Sequence, residues 1–156
     1  MNDAQDSAKF SVLYENKQTN LFRFSNELVF EKSQNFKLGL KSNIYLFSTS
    51  TIIKPWHRPS FETTFWANFN LFQKLYFYAD IMYISGIKGN NALNVKSENF
   101  YNLNDIVDVT LKIEYKLSDR FGIYVYGYNL AGQSYMRFNN YAVKGINVVG
   151  GLNFNF

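Results

Sequence analysis

The one histidine of this chain, His57, is the only side chain whose ordinary pKa lies close to neutral pH. It stands between Trp56 and Arg58, in a segment bounded by Pro55 and Pro59. Acid–base or nucleophilic catalysis would need this imidazole beside a serine or a carboxylate, and no such residue has a diagnostic spacing from it. With no cysteine either, the sequence offers no conventional metal site. We therefore expect a protein that is not an enzyme and uses no cofactor or metal.

Nine charged side chains stand opposite apolar residues in stretches of alternating sequence. In a β-barrel we expect these charges to face the interior, where an unpaired charge is costly. Five acids and four bases make the set nearly balanced, so a solvated or paired wall without ligand specificity remains an open alternative. The residues are Arg23, Glu27, Lys37, Lys41, Glu62, Asp80, Asp108, Lys112 and Glu114.

The alternation itself predicts β-strands, because apolar and polar residues follow each other with a period of two over most of the 156 residues. About eight strands result, most of them near the 9–11 residues that a tilted membrane-spanning strand needs. Tight turns at 32–35, 71–74 and 117–120 alternate with longer loops at 51–59, 87–104 and 131–145. In segment 121–130 either set of alternating residues could form the apolar face. The predicted fold is all-β, with antiparallel up-and-down transmembrane strands of a partial barrel.

Two classes of barrel fit this alternation: a membrane barrel with apolar side chains outside, and a soluble lipocalin-like carrier with apolar side chains inside. The aromatic content of 19% and the tyrosines near strand ends favour the membrane barrel, where they are typical of interfacial girdles. The last strand ends on Phe154 and Phe156, which resembles the C-terminal signal that barrel-insertion machinery reads in bacterial outer-membrane proteins. A net charge of +4 without a basic cluster argues against nucleic acid as a partner.

Three motifs follow one another along roughly residues 50–156. They are PWHRPSFE at 55–62 with Asn70-Leu71 and Lys74-Leu75 after it, EYKLSDRF at 114–121, and Asn129-Leu130, Tyr135, Tyr141, Val143 and Gly145 with the ending GLNFNF at 151–156. Each motif is weak alone, and their order and spacing together are more specific. As a set they resemble the late barrel strands of Bacteroidetes TonB-dependent receptors.

The resemblance implies an outer-membrane barrel that binds a ligand outside the cell and admits it with energy relayed by TonB. The implied partners are outer-membrane lipid, the barrel-insertion machinery, the rest of the receptor barrel, its plug and TonB. Two extracellular loops would present the residues suited to contact a ligand, although such loops also often pack only on their neighbours. These residues are Trp56, His57, Arg58, Tyr135, Arg137 and Tyr141.

The chain also departs from this family. Such receptors have about 22 strands around an N-terminal plug, and residues 1–7 do not have the pattern of a signal peptide. We therefore expect a disordered polar segment at 1–8 and a barrel segment at 9–156, truncated at its N-terminus, inactive alone and located in the outer membrane. A self-standing eight-stranded outer-membrane protein with a structural or adhesive role remains open. It requires residues 9–15 to pair with 146–156 and close the sheet.

Overall fold

The computed structural model describes residues 17–50, 54–90, 100–138 and 141–156. The predicted N-terminal segment at 1–8 and the first predicted strand at 9–15 lie outside these residues. No helix in the described part of the chain is long and apolar enough to cross a membrane. The strands are β1 (Asn20–Ser33), β2 (Phe36–Ser48), β3 (Phe61–Leu71), β4 (Leu75–Ser85), β5 (Lys88–Asn90), β6 (Phe100–Asn102), β7 (Ile106–Lys116), β8 (Phe121–Tyr128), β9 (Met136–Phe138), β10 (Tyr141–Ala142) and β11 (Asn147–Phe154).

Seven long strands form one antiparallel sheet in the order β1-β2-β3-β4-β7-β8-β11. Each long strand pairs with the next one along the chain, which is the up-and-down order that the sequence predicts. The short strands form two separate ladders, β5 with β6 and β9 with β10. Within the described ranges the outer edges of β1 and β11 pair with no further strand, so the sheet is open. The all-β antiparallel prediction is confirmed, and the open sheet is consistent with a partial barrel.

The pairing register gathers the apolar positions of all seven strands on one side of the sheet, which we call the apolar face. One cross-strand row runs Leu28, Leu40, Phe65, Ile81, Val109, and the row nearer the tight turns runs Phe36, Phe69, Phe77, Ile113, Val125, Gly150. Successive residues of a strand point to opposite sides, so the charged and amide residues share the other side, the polar face. This settles the ambiguous segment: Ile123 and Val125 of β8 join the apolar face, and Tyr124 and Tyr126 the polar face.

The tight turns lie at one end of the sheet and the long connections at the other. In the turn between β3 and β4, Phe72 and Gln73 have φ of 55° and 56°, and the Lys74 backbone N–H donates to the Leu71 carbonyl over 3.1 Å. Two consecutive positive φ values are typical of a type I′ turn, whose twist matches that of a hairpin. The sequence predicts a polar turn here, and its tip carries a phenylalanine that is 90% exposed.

The buried core is small and lies on the polar face, at the end with the long connections. Ile84 of β4 and Ile106 of β7 occupy polar-face positions, and Ile87 and Tyr135 from the connections cover them. We call these four residues the loop cap. No described residue covers the apolar face in this way, and along one cross-strand row Leu28, Leu40 and Phe65 are 67%, 39% and 43% exposed. The connections therefore fold over the polar face and leave the apolar face exposed.

Candidate functional site: the polar face and its loop end

All nine charges that the sequence assigns to a barrel interior lie on the polar face, because the register puts each of them opposite another polar-face residue. Glu27 of β1, for example, stands across from Lys41 of β2. Within the described residues the only ion pair closer than 4.0 Å joins Lys37 Nζ to Glu31 Oε1, at 2.9 Å. The charges of this face are therefore not neutralised mainly by each other.

Tyrosine hydroxyls donate hydrogen bonds to three carboxylates of the polar face. The Tyr45 hydroxyl donates to Glu62 Oε2 over 2.8 Å, and the Tyr126 hydroxyl donates to Glu114 Oε1. In the loop cap, the Tyr135 hydroxyl donates to Asp108 Oδ2 over 2.7 Å. A hydrogen bond to an ionised acceptor is stronger than one between neutral groups, so these phenols stabilise the carboxylates in place of cations.

Two lysine ammonium groups of the polar face lie over tyrosine rings. Lys112 Nζ lies 5.3 Å from the ring centroid of Tyr78 and 5.6 Å from that of Tyr126. Lys116 Nζ lies 4.8 Å from the ring centroid of Tyr76. A cation at this distance over an aromatic face is attracted by the ring quadrupole. The tyrosines of β4 and β8 therefore contact charges of both signs, and the polar face is a mixed wall of rings, amides and ions.

Arg23 is held by an amide as well as a ring. Its Nη2 donates to Asn43 Oδ1 over 2.9 Å, and the Ser25 hydroxyl donates to the same oxygen over 2.8 Å. The guanidinium carbon lies 5.7 Å from the ring centroid of Tyr45. Arg23 pairs with Tyr45 in the register of β1 and β2, which places it near the long-connection end of the sheet.

The predicted extracellular residues fall at this same end but differ in their surroundings. The His57 backbone N–H donates to the Lys88 carbonyl over 2.8 Å, which ties the loop between β2 and β3 to β5. Partial burial lowers the pKa of the His57 imidazole. Tyr135 is only 7% exposed and belongs to the loop cap. Arg137 and Tyr141 stand in β9 and β10, and their side chains lie outside what the structure describes.

Trp56 and Arg58 complete the predicted loop. The Trp56 indole N–H is buried and has no hydrogen-bond acceptor among the described residues. Arg58 is exposed and its backbone N–H donates to the Pro55 carbonyl over 3.2 Å, which closes a turn around His57. His57 itself has a φ of 58° in this turn. The loop is therefore a compact turn anchored to β5.

Two depressions in the described part of the surface lie at opposite ends of the sheet. One, of about 380 Å³, lies near the tight turns and is lined by Asn68, Asn70, Tyr76, Tyr78 and Lys112 among others. The second, of about 290 Å³, lies at the long-connection end and contains three cations, Lys54, Arg58 and Lys88, together with Tyr45 and Ser60. We call these last five residues the basic depression. Sequence analysis singled out Arg58 but not Lys54 or Lys88. Lys54 belongs to the same connection as Arg58, and only the fold brings Lys88 from another connection beside them.

The lining of the first depression includes one carboxylate, that of Glu114, and the described lining of the second includes none. In the described ranges, no three residues among His, Cys, Asp and Glu are grouped so as to hold a metal ion. The C-terminal aromatics lie elsewhere: Phe154 pairs with Phe121 on the apolar face, and its ring contacts that of Phe156 edge-on at 5.1 Å.

In the comparisons with known proteins, the chain matches no protein-family model and no curated protein. The resemblance to TonB-dependent receptors therefore depends on the three motifs. In the structure, EYKLSDRF spans the end of β7, a tight turn and the first residue of β8. PWHRPSFE begins in the loop before β3 and enters that strand at Phe61. The class that the fold defines is an open antiparallel sheet with one exposed apolar face.

Proposed function

We propose that this chain is the C-terminal part of the barrel of a TonB-dependent outer-membrane receptor of the Bacteroidetes type, which takes up a ligand and is inactive as an isolated piece. One observation carries the membrane part of the proposal, namely the exposed apolar face that crosses all seven strands. Leu28 in β1, Ile81 in β4 and Leu152 in β11 are 67%, 47% and 68% exposed. Apolar patches of this extent are rare on monomers in water and mark protein or membrane contacts.

Lipid suits this face because hydrocarbon has no hydrogen-bonding demand and each strand satisfies its backbone groups through its neighbours. The opposite face carries the amides, tyrosines and charges that would line an aqueous interior. The alternation of tight turns at one end and long connections at the other fits the periplasmic turns and extracellular loops of such barrels. In this orientation the basic depression and the loop cap face outside the cell.

The open edges of the sheet support the proposal that this chain forms one part of a larger barrel. A bilayer does not tolerate an unpaired strand edge, because each free N–H and C=O in hydrocarbon costs several kcal/mol (roughly 2–7). Both β1, at one edge, and β11, at the other, lack a partner among the described residues. Further strands of the same receptor would pair with these edges and enclose a plug. The unpaired edges and the three motifs together favour part of a receptor barrel over a membrane barrel of another class.

A lipocalin-like carrier is less well supported. It would bury its apolar side chains in a central cavity and expose the polar ones. Here the connections cover the polar face, with Tyr135 packed on Ile84 and Ile106. The apolar side chains stay open on the other side of the sheet. Whatever covers the apolar face must therefore come from outside this part of the chain, and lipid would cover it.

The test is an immunoblot of fractionated cells that carry the gene, with an antibody raised against this chain. The proposal predicts a band in the outer-membrane fraction that is several times larger than the 18.2 kDa of these 156 residues. Sequence for a plug immediately upstream of Met1 would agree with that size. A band of 18.2 kDa in the outer membrane would instead identify a self-standing small barrel. The same band in the fraction without membranes would contradict both membrane interpretations.

A further inference from the structure

Three cations line the basic depression, and none of them forms an ion pair with a carboxylate of the described residues. Lys54 and Lys88 are half-buried and Arg58 is exposed, and the described residues that line the depression include no carboxylate. The Glu62 carboxylate accepts from the hydroxyl of the lining residue Tyr45 and makes no ion pair with the three cations. Across the residues that the structure describes, the only ion pair involves Lys37 and Glu31, at the other end of the sheet. A cluster of like charges without counter-charges raises the local concentration of anions.

The two connections that supply these cations are fixed to each other. The His57 N–H donates to the Lys88 carbonyl over 2.8 Å, and both lysine ammonium groups lie over the ring of Phe100, at 5.9 Å for Lys54 and 4.8 Å for Lys88. The close approach of the connections requires a glycine: Gly86 has a φ of 74°, and a Cβ there would overlap Ser60 Oγ. The cations therefore stand together before any ligand arrives.

From this arrangement we propose that the basic depression binds a phosphate group. Its volume of about 290 Å³ admits a phosphate with a small organic substituent. The Arg58 guanidinium offers a planar fork that matches two phosphate oxygens, and the lysines offer point charges. The Ser60 hydroxyl lines the same space as a neutral donor. An anion here offsets the mutual repulsion of three cations.

Two sources could supply this phosphate, a phosphate ester that arrives from solution or the headgroup of a neighbouring lipid. The proposed phosphate site consists of side chains of this chain, so it does not depend on the proposal that the chain is part of a receptor. A small self-standing barrel would leave it intact, and a failure to bind phosphate would leave the receptor proposal intact. The two proposals therefore fail separately.

The experiment purifies the protein as the cell makes it, reconstitutes it in phosphatidylcholine nanodiscs and titrates it with pyrophosphate by isothermal calorimetry. We expect saturable binding that weakens as salt is added. Each of the substitutions Lys54→Gln, Arg58→Gln and Lys88→Gln should weaken it about tenfold, the effect of losing one charge-assisted contact. The matched control is Lys74→Gln, which removes one cation from the tight turn between β3 and β4 and should leave the affinity unchanged.

A repeat in discs that contain phosphatidylglycerol identifies the source. If the headgroup occupies the site, pyrophosphate binds more weakly in these discs, and the difference disappears in the three variants. If the affinity for pyrophosphate is the same in both discs, the ligand is a phosphate ester from solution. Absence of saturable binding, or an affinity that the three substitutions leave unchanged, overturns the proposal.

Discussion

The hydroxyl of Tyr135, in the connection between β8 and β11, donates to Asp108 Oδ2 of β7 over 2.7 Å. Gln133 strengthens the same junction, since its Oε1 accepts from the Val107 N–H over 2.6 Å and its Nε2 donates to the Asp105 carbonyl over 2.7 Å. A long connection thus replaces part of the backbone pairing of β7 at its first residues. The loop cap is an integral part of the sheet rather than a free loop.

Removing this hydroxyl should destabilise the protein. In Tyr135→Phe, Asp108 loses the donor to Oδ2, and its Oδ1 is already buried without a partner in the described part of the chain. Leaving a buried acceptor unsatisfied costs about 1–3 kcal/mol. We expect urea unfolding in detergent to report a loss of that size. Tyr115→Phe is the control, because this residue lies on the apolar face, and it should change the free energy of unfolding by less than about 0.5 kcal/mol. Equal effects would show that the bond does not stabilise the cap.

Two adjacent valines of β11 lie on opposite faces of the sheet, so substitutions at these positions test which face contacts lipid. Val148 pairs with Gly127 on the apolar face, and Val149 pairs with Tyr126 on the polar face; both are exposed, at 61% and 43%. A lysine facing hydrocarbon costs about 2–4 kcal/mol near the bilayer midplane. This cost falls towards the interfaces, and Val148 is the second residue of β11. We therefore expect Val148→Lys to lower the free energy of unfolding in phospholipid vesicles by about 1 kcal/mol and Val149→Lys to leave it nearly unchanged. A larger loss for Val149→Lys would assign the faces the other way.

Gly39 of β2 should not tolerate a side chain. A Cβ built there meets Trp66 Cε2 of β3 at 2.5 Å, because the indole lies over the glycine on the polar face. Such overpacking costs about 1–3 kcal/mol. We therefore expect Gly39→Ala to lower the urea midpoint, whereas Gly145→Ala, where a Cβ meets no atom within 4 Å, should leave it unchanged. Adding Trp66→Leu to Gly39→Ala should recover part of the loss, and additive losses would exclude this contact as the cause.

His57 gives the protein a pH dependence with a defined sign. Partial burial lowers the pKa of the imidazole below its ordinary value of 6.5, so the unfolded chain binds the proton more readily than the folded chain. Stability should therefore be constant above pH 6.5 and fall as the pH decreases through and below this value. Since the chain has one histidine, its imidazole resonance can be followed by NMR without ambiguity. A midpoint at or above 6.5, or an identical pH dependence in His57→Gln, would contradict this.

The sequence predicts the sheet well because alternation is a local property. Where Phe22 to Phe30 alternate, β1 forms, and where Ile146 to Phe154 alternate, β11 forms. Segment 121–130 could not be oriented from its own residues, because Phe121 and Tyr124 are both suited to a membrane surface. Only the pairing of Ile123 with Leu152 and Tyr115 in the neighbouring strands decides its face.

The loop end could not be predicted, because its contacts join residues that are distant in the chain. Tyr135 looks like a ligand contact when it is read in its loop alone, and its burial depends on Ile84 and Ile106, which other strands supply. Lys54 and Lys88 carry no local signal. They become part of one depression only when the connections after β2 and β4 pack together.

The central claim, that the apolar face contacts lipid, is tested most directly by spin labels along β4. Because the chain has no cysteine, single cysteines can be introduced at residues 77–82 and labelled with a nitroxide in phospholipid vesicles. Collisions with oxygen, which concentrates in hydrocarbon, should peak at Phe77, Ala79 and Ile81. Collisions with a water-borne nickel chelate should peak at Tyr78 and Asp80. The opposite phase, or labels that all report water, would contradict the membrane assignment.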